Sequence, residues 1–281
     1  MPTVQTNGVN TYYEEFGDGP PVIFLHGATG DHRIWAEQLQ PLAEDFTVLV
    51  YDLRGHGRTS GSEHQVYSME LYAEDLAAFI DALELDEPAV CGLSMGGMIG
   101  YQFAATYPEK LCSLVTLGAP TPRTFSVRER LMRVEIAKLL TPVMGNERIM
   151  RGFTWIAERA SSDSSAVDMD DVGRIWDGHH CETPEIQSRE RGKIMKGMQE
   201  YIGSSIDWEN IRVPVLKMYG ENEMFVETHT EYVQDRLDGL EIKEIPDASH
   251  NAHVDNPDFI IREIGNFLVN TNQSLQSEAI G

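Results

Sequence analysis

The chain opens on two short stretches of alternating apolar and polar residues, Val4 to Thr6 and Thr11 to Phe16, on either side of Asn7-Gly8. Side chains of a strand point alternately to opposite faces, and Asn-Gly supplies the positive-φ residues of a tight turn, so the pattern predicts a β-hairpin. Gly-Asp-Gly-Pro-Pro then ends it. Beyond lie runs that are apolar at nearly every position: Val22 to Leu25, Phe46 to Tyr51, Ala89 to Leu93 and Leu111 to Leu117. Between them helical spacing occurs at Met69 to Leu83, behind a capping Ser68, and at Met95 to Tyr107. Runs of this kind belong to strands buried on both faces, and their alternation with helices is the βαβ rhythm of a mostly parallel sheet covered on both sides.

The rhythm breaks after Gly118-Ala119-Pro120. About ninety residues follow with helical patterns only (Val127 to Leu140, Glu147 to Ala160, roughly Pro184 to Ile202), divided by the polar Ser161 to Asp171, before strand character returns at Val213 to Tyr219. The pattern predicts a core split in sequence, residues 1–120 and 208–281, with a helical cap inserted over 121–207. After it come a helix near Thr228 to Leu237, a strand Glu241 to Ile245 and a helix near Pro257 to Val269. The polar end, Thr271 to Gly281, is expected to fray.

Composition narrows the function. With 281 residues, 41% hydrophobic and 24% charged, the chain can build one substantial globular core. Its 45 acidic residues against 22 basic ones give a net charge of −23, which repels phosphate backbones and anionic lipid surfaces, so no nucleic-acid or membrane partner is expected. Only six of the basic residues are lysines, and this Lys-poor, acid-rich balance resembles proteins of high-salt cytoplasms. The beginning of the chain carries no basic stretch followed by an apolar one, and no apolar run is long enough to span a bilayer, so a cytoplasmic location is expected. Cys91, Cys112 and Cys181 lack the spacing of a metal site or a disulfide framework. His179-His180-Cys181 reads as a polar loop of the cap, because adjacent histidines do not share one face of a regular element.

The strongest chemical signal is Gly92-Leu93-Ser94-Met95-Gly96, between a predicted strand and a predicted helix. A serine hydroxyl becomes a useful nucleophile only when held exposed beside a base, and a sharp strand-to-helix turn gives that exposure at the carboxyl edge of a sheet. Glycines at 92 and 96 remove side chains that would collide there. Because Ser94 opens a helix, the backbone N–H of Met95 can face a developing oxyanion. After the last strand, Ala248-Ser249-His250-Asn251-Ala252-His253 offers two candidate bases, His250 and His253. Carboxylates that could orient such a base are Glu221 and Glu223 after the preceding strand, and Asp247 further on.

With His26-Gly27-Ala28 directly after the first buried strand, and Asp52-Leu53-Arg54-Gly55-His56-Gly57-Arg58-Thr59-Ser60 after the second, the sequence resembles the α/β-hydrolase superfamily from about Val22 to Val269. The resemblance implies that Ala28 is the second backbone donor to the oxyanion, that His26 holds its loop, and that the 52–60 loop is structural. It implies His250 as the base. The family usually shows Gly-x-x-Asp where this chain has Gly220-Glu221-Asn222-Glu223, so Glu223 takes the acid's place; Gly118-Ala119-Pro120 offers no carboxylate at the other acid position known in the superfamily.

The chain is therefore expected to be a serine hydrolase that cleaves a small-molecule ester or lactone through Ser94, Glu223 and His250 and needs no metal or organic cofactor. The Gly-Leu-Ser-Met-Gly-Gly elbow looks most like those of small carboxylesterases and enol-lactone hydrolases. Carbon–carbon bond hydrolases share that elbow but usually carry Trp after the base, where this chain has Asn251. A cofactor-free haloperoxidase or perhydrolase would use the same triad, and a ligand receptor on the hydrolase scaffold would keep it intact; the sequence leaves both readings open. Met95 and the residues around Met224 are candidates for the pocket lining.

Overall fold

The computed structural model describes residues 2–28, 30–122, 188–223 and 226–280. The hairpin forms as β1 (Thr3–Thr6) and β2 (Val9–Phe16), turning through Asn7 and Gly8, both at positive φ. The buried runs become β3 (Pro21–Leu25), β4 (Thr47–Tyr51), β5 (Ala89–Leu93) and β6 (Ser113–Leu117). They join β7 (Val215–Gly220) and β8 (Leu240–Ile245) in one eight-stranded sheet of order β1-β2-β4-β3-β5-β6-β7-β8. Strands β3 to β8 are mutually parallel, and β1 and β2 add an antiparallel edge.

Two apolar layers follow from the period-two geometry of the strands. On one face Ile23, Leu49, Val90, Leu114 and Val215 pack under α2 (Met69–Ala82) and α3 (Met95–Thr106). On the other, Val22, Val48, Cys91, Val115 and Leu216 meet α1 (Ala36–Leu42) and α6 (Pro257–Ile280). Ser68 caps α2, its side chain accepting from the Leu71 N–H at 3.3 Å.

Strand order reverses between β3 and β5, since β4 lies to one side of β3 and β6 to the far side of β5. In open α/β sheets the crevice beyond the carboxyl ends of the strands at such a reversal is where ligands bind. The residues that leave those two ends are His26-Gly27-Ala28 and Ser94.

Two features differ from the pattern-based expectation. A 3₁₀ turn (His32–Trp35) and α1 stand between β3 and β4, where no element is evident in the sequence. Helix α6 does not fray at Thr271 but runs to Ile280. The segment from Thr271 to Ile280 contains neither Gly nor Pro, and Thr271 is buried with its hydroxyl donating to the Phe267 carbonyl at 3.0 Å, so nothing stops the helix. Of the stretch expected as a cap, 123–187 lie outside the described residues, including His179, His180 and Cys181. Its end forms α4 (Ser188–Gly203), which packs on the sheet domain itself through Ile194 and Tyr201. No described helix is long and apolar enough to cross a membrane.

Candidate active site

Ser94 has φ 52° and ψ −110°, and its side chain does not cap the helix that it begins. A serine serving only as a cap would sit in extended backbone with its oxygen on the N–H groups of the first turn. Here the backbone is held in a region that a side chain rarely enters, at a cost of order 1–3 kcal/mol. The turn is sharp enough to require glycine on both flanks: a Cβ on Gly92 would lie 2.3 Å from the Gly96 carbonyl carbon, and one on Gly96 would lie 2.3 Å from the Leu25 oxygen. The Ser94 N–H donates to the Leu117 carbonyl at 2.8 Å, which fastens the elbow to the end of β6.

The loops after β7 and β8 are stitched together by their backbones. Glu221 N–H donates to the Ile245 carbonyl and Asn222 N–H to the Ala248 carbonyl, each at 2.9 Å. This seam brings the Glu223 Oε1 within 2.7 Å of the His250 Nδ1. An ionised carboxylate only accepts, so Nδ1 carries the proton and Nε2 keeps its lone pair free to act as a base. The Glu223 side chain is mostly enclosed, 12% exposed, and the His250 ring is 30% exposed, open enough for a substrate to reach it.

Of the other acids, Glu221 is exposed and accepts from the Asp247 N–H at 3.1 Å, and Asp247 is itself exposed at φ 56°. The rival His253 is buried, and burial lowers its pKa to about 4.

The turn after β6 joins the two halves of the site. Gly118 follows the residue that holds Ser94, its N–H donates to the Met218 carbonyl at 2.9 Å, and its φ is +56°. A Cβ there would lie 3.0 Å from the Glu223 Oε1 and 3.1 Å from the His250 Nδ1. The elbow, the Glu223 carboxylate and the His250 ring therefore all adjoin the turn at the carboxyl end of β6. In the sequence Gly118 stands out only for its missing carboxylate; the signal for its role is a glycine placed at a strand end.

The loop after β3 lies against the elbow, where a Cβ on Gly27 would sit 3.6 Å from the Ser94 Cβ. His26 is buried and fixes this loop: its Nε2 accepts from the Leu53 N–H at 3.0 Å, so its Nδ1 donates to the Gly27 carbonyl at 2.8 Å. His56 reaches the Ala28 carbonyl at 3.0 Å from the other side. Ala28 is half-buried in the turn, and Met95 is buried at the first position of α3, where a helix has N–H groups without internal partners. Met224 lies outside the described residues.

The 52–60 loop is tied down by buried charge. Asp52 accepts from the His32 Nδ1 at 2.7 Å and from the Arg58 N–H at 2.7 Å, and Arg54 Nε donates to Asp75 at 2.7 Å. Among the described residues Asp31, His32 and Asp52 are the group with metal-ligand chemistry. Asp31 is already engaged by the Arg33 guanidinium and Asp52 by His32 and Arg58, so the donors are spent on the loop.

A parallel sheet with a serine elbow at its strand-order reversal defines an α/β hydrolase. Residues 20–140 match the alpha/beta hydrolase fold family. A Bacillus subtilis (strain 168) protein described as a putative 2-succinyl-6-hydroxy-2,4-cyclohexadiene-1-carboxylate synthase is 31% identical over 88% of this chain and 89% of its own length. The 2-hydroxy-6-oxo-6-(2'-aminophenyl)hexa-2,4-dienoic acid hydrolase of Metapseudomonas resinovorans is 26% identical over 91% of this chain and 86% of its own. Among solved structures, the enol-lactonase from Burkholderia xenovorans LB400 superposes with a TM-score of 0.71 at 22% identity, covering 95% of this chain and all of that one. The chain belongs to the alpha/beta hydrolase fold family.

Proposed function

We infer that the protein is a serine hydrolase acting on carboxylic esters or lactones through an acyl-enzyme, with Ser94 as nucleophile, His250 as general base and acid, and Glu223 as the carboxylate that orients the imidazole. The 2.7 Å contact between Glu223 and His250 carries this reading, because it leaves His250 Nε2 as the free basic atom at the strand edge that presents Ser94. The hydroxyl of Ser94 loses its proton to that nitrogen as its oxygen attacks the acyl carbon. The N–H groups of Ala28 and Met95 receive the oxyanion, and the positive end of α3 favours the charge. Collapse expels the alcohol, which takes the proton from His250; water activated by the same nitrogen then releases the acid. In a lactone the alcohol and acid remain one molecule.

An ester or lactone suits this apparatus because one proton from the imidazole suffices for an alkoxide leaving group. A second reading, cleavage of a carbon–carbon bond, is favoured by the likeness to the dienoic acid hydrolase and weighed down by Asn251 next to the base.

The test is steady-state turnover of aryl esters, lactones and a vinylogous diketone by the wild type and Ser94→Ala. Multiple turnover of esters or lactones that vanishes in Ser94→Ala supports the reading. Turnover of the diketone alone moves the protein to carbon–carbon hydrolysis, and a single stoichiometric turnover makes it a receptor.

A further inference from the structure

His250 stands in the loop between β8 and a one-turn helix, Ala252–Asp255. Its ring is 30% exposed, so the backbone that carries it decides its place more than packing does. Asp255 bonds the residues on both sides of it. One carboxylate oxygen, Oδ2, accepts from the Ser249 N–H and from the Ser249 hydroxyl, each at 2.8 Å. The Asp255 N–H donates to the Asn251 carbonyl at 3.1 Å. The short helix that bears Asp255 is itself held, because the buried Gln38 of α1 donates from Nε2 to the His253 carbonyl at 2.7 Å, and Ala252 is buried. From the neighbouring loop Glu223, in the turn before α5 (Val226–Gln234), holds the His250 Nδ1, and the Asn222 N–H holds the Ala248 carbonyl. Hydrogen bonds to a carboxylate are roughly twice as strong as neutral ones, and two on one oxygen fix the backbone and the side chain of residue 249 together. Asp255 is exposed and adds nothing to the apolar core, so what its contacts secure is the shape of the His250 loop.

We propose that Asp255 is a positioning residue for His250: bonded to Ser249 and to Asn251, it keeps the imidazole between Glu223 and Ser94 while Nε2 takes up and returns a proton. The inference rests on the triad reading of Ser94, Glu223 and His250. A base carried on a loop must keep its place through both half-reactions, and a displacement of about 1 Å costs on the order of 100-fold in rate. A role confined to the base lowers kcat and leaves KM as it is.

The experiment compares Asp255→Ala and Asp255→Asn, in the wild type and in a His250→Ala background, with an activated aryl ester as substrate and folding checked by circular dichroism. Asp255→Ala is expected to lower kcat about tenfold with KM within about twofold. Asp255→Asn, whose amide oxygen can still accept from Ser249, should regain most of the loss. In His250→Ala the same substitutions should change nothing, because a residue that acts through the base has nothing left to position. Equal losses with and without His250, or an unchanged kcat in Asp255→Ala, overturn the inference. A second readout needs no turnover. The His250 Nδ1 proton, bonded to Glu223, gives a far-downfield NMR resonance identified by its absence from His250→Ala; it should broaden or vanish in Asp255→Ala, and an unaltered signal overturns the inference. That change in a wild type without serine-dependent turnover would sink the triad reading alone. Should Asp255→Ala fail to fold, Ser249→Ala, which removes only the hydroxyl donor, must lower kcat about threefold, and wild-type kcat in that variant overturns the inference.

Discussion

Gly118 and Glu223 leave little room for a methyl group between them: a Cβ on Gly118 would lie 3.0 Å from the carboxylate oxygen that bonds His250. The glycine is needed twice, since its φ of +56° is also one that L side chains rarely adopt. Gly118→Ala is expected to lose about 1–2 kcal/mol of stability from the backbone conformation and to lower kcat on the order of 10²-fold by displacing the acid–base pair. Kinetics and urea unfolding of the same preparation check both. A variant with wild-type kcat would mean that the pair tolerates displacement.

The acid is testable by amide substitution. In Glu223→Gln the side-chain NH₂ can turn toward the imidazole and favour the wrong tautomer, so activity should fall by at least about 100-fold. Glu221→Gln removes an exposed carboxylate whose contact is to the Asp247 N–H, and activity should stay within about twofold. Ester hydrolysis by the two variants side by side decides the matter, and equal losses would assign the acid elsewhere.

Buried imidazoles set the acid side of stability. Burial lowers the pKa of His253 to about 4 and that of His56 to about 3, whereas an unfolded chain protonates histidine near 6.5. As pH falls the unfolded state binds these protons first, so the stability is whole above pH 6.5 and drains as pH drops toward 4 and 3. The urea midpoint should decline steadily across that window. A midpoint that stays level from pH 7 to pH 4 would show that these rings are protonated in the folded protein.

The surface carries a net −23, and self-repulsion of that size is relieved by screening. The melting temperature should therefore rise between low and molar salt. One that does not change would remove the link between this composition and a saline interior.

Much of this arrangement can be read from residue order, for a physical reason. Strands buried on both faces must be apolar throughout, so β3 to β7 stand out, and a serine between two glycines at a strand end admits few conformations. Position after the last two strands narrows the candidates to His250 or His253 and to Glu221, Glu223 or Asp247, and the family resemblance is what singles out His250 and Glu223. What escapes is what depends on neighbours distant in the chain. Helix α1 is short, contains Pro41 and buries only Gln38 and Leu42, so it leaves little periodic trace. The role of Gly118 appears only once the loops after β7 and β8 close over it. Lys217 is a single charge in the run Val215-Leu216-Lys217-Met218-Tyr219, and nothing local says that its ammonium stays buried.

A Ser94 hydroxyl made nucleophilic by His250 should be open to covalent trapping by a serine-directed reagent. Mass spectrometry after treatment with an aryl phosphonate should show one adduct per wild-type chain, mapped to Ser94, and none on Ser94→Ala. An adduct of equal yield on Ser94→Ala, or one mapped to another residue in the wild type, would contradict it.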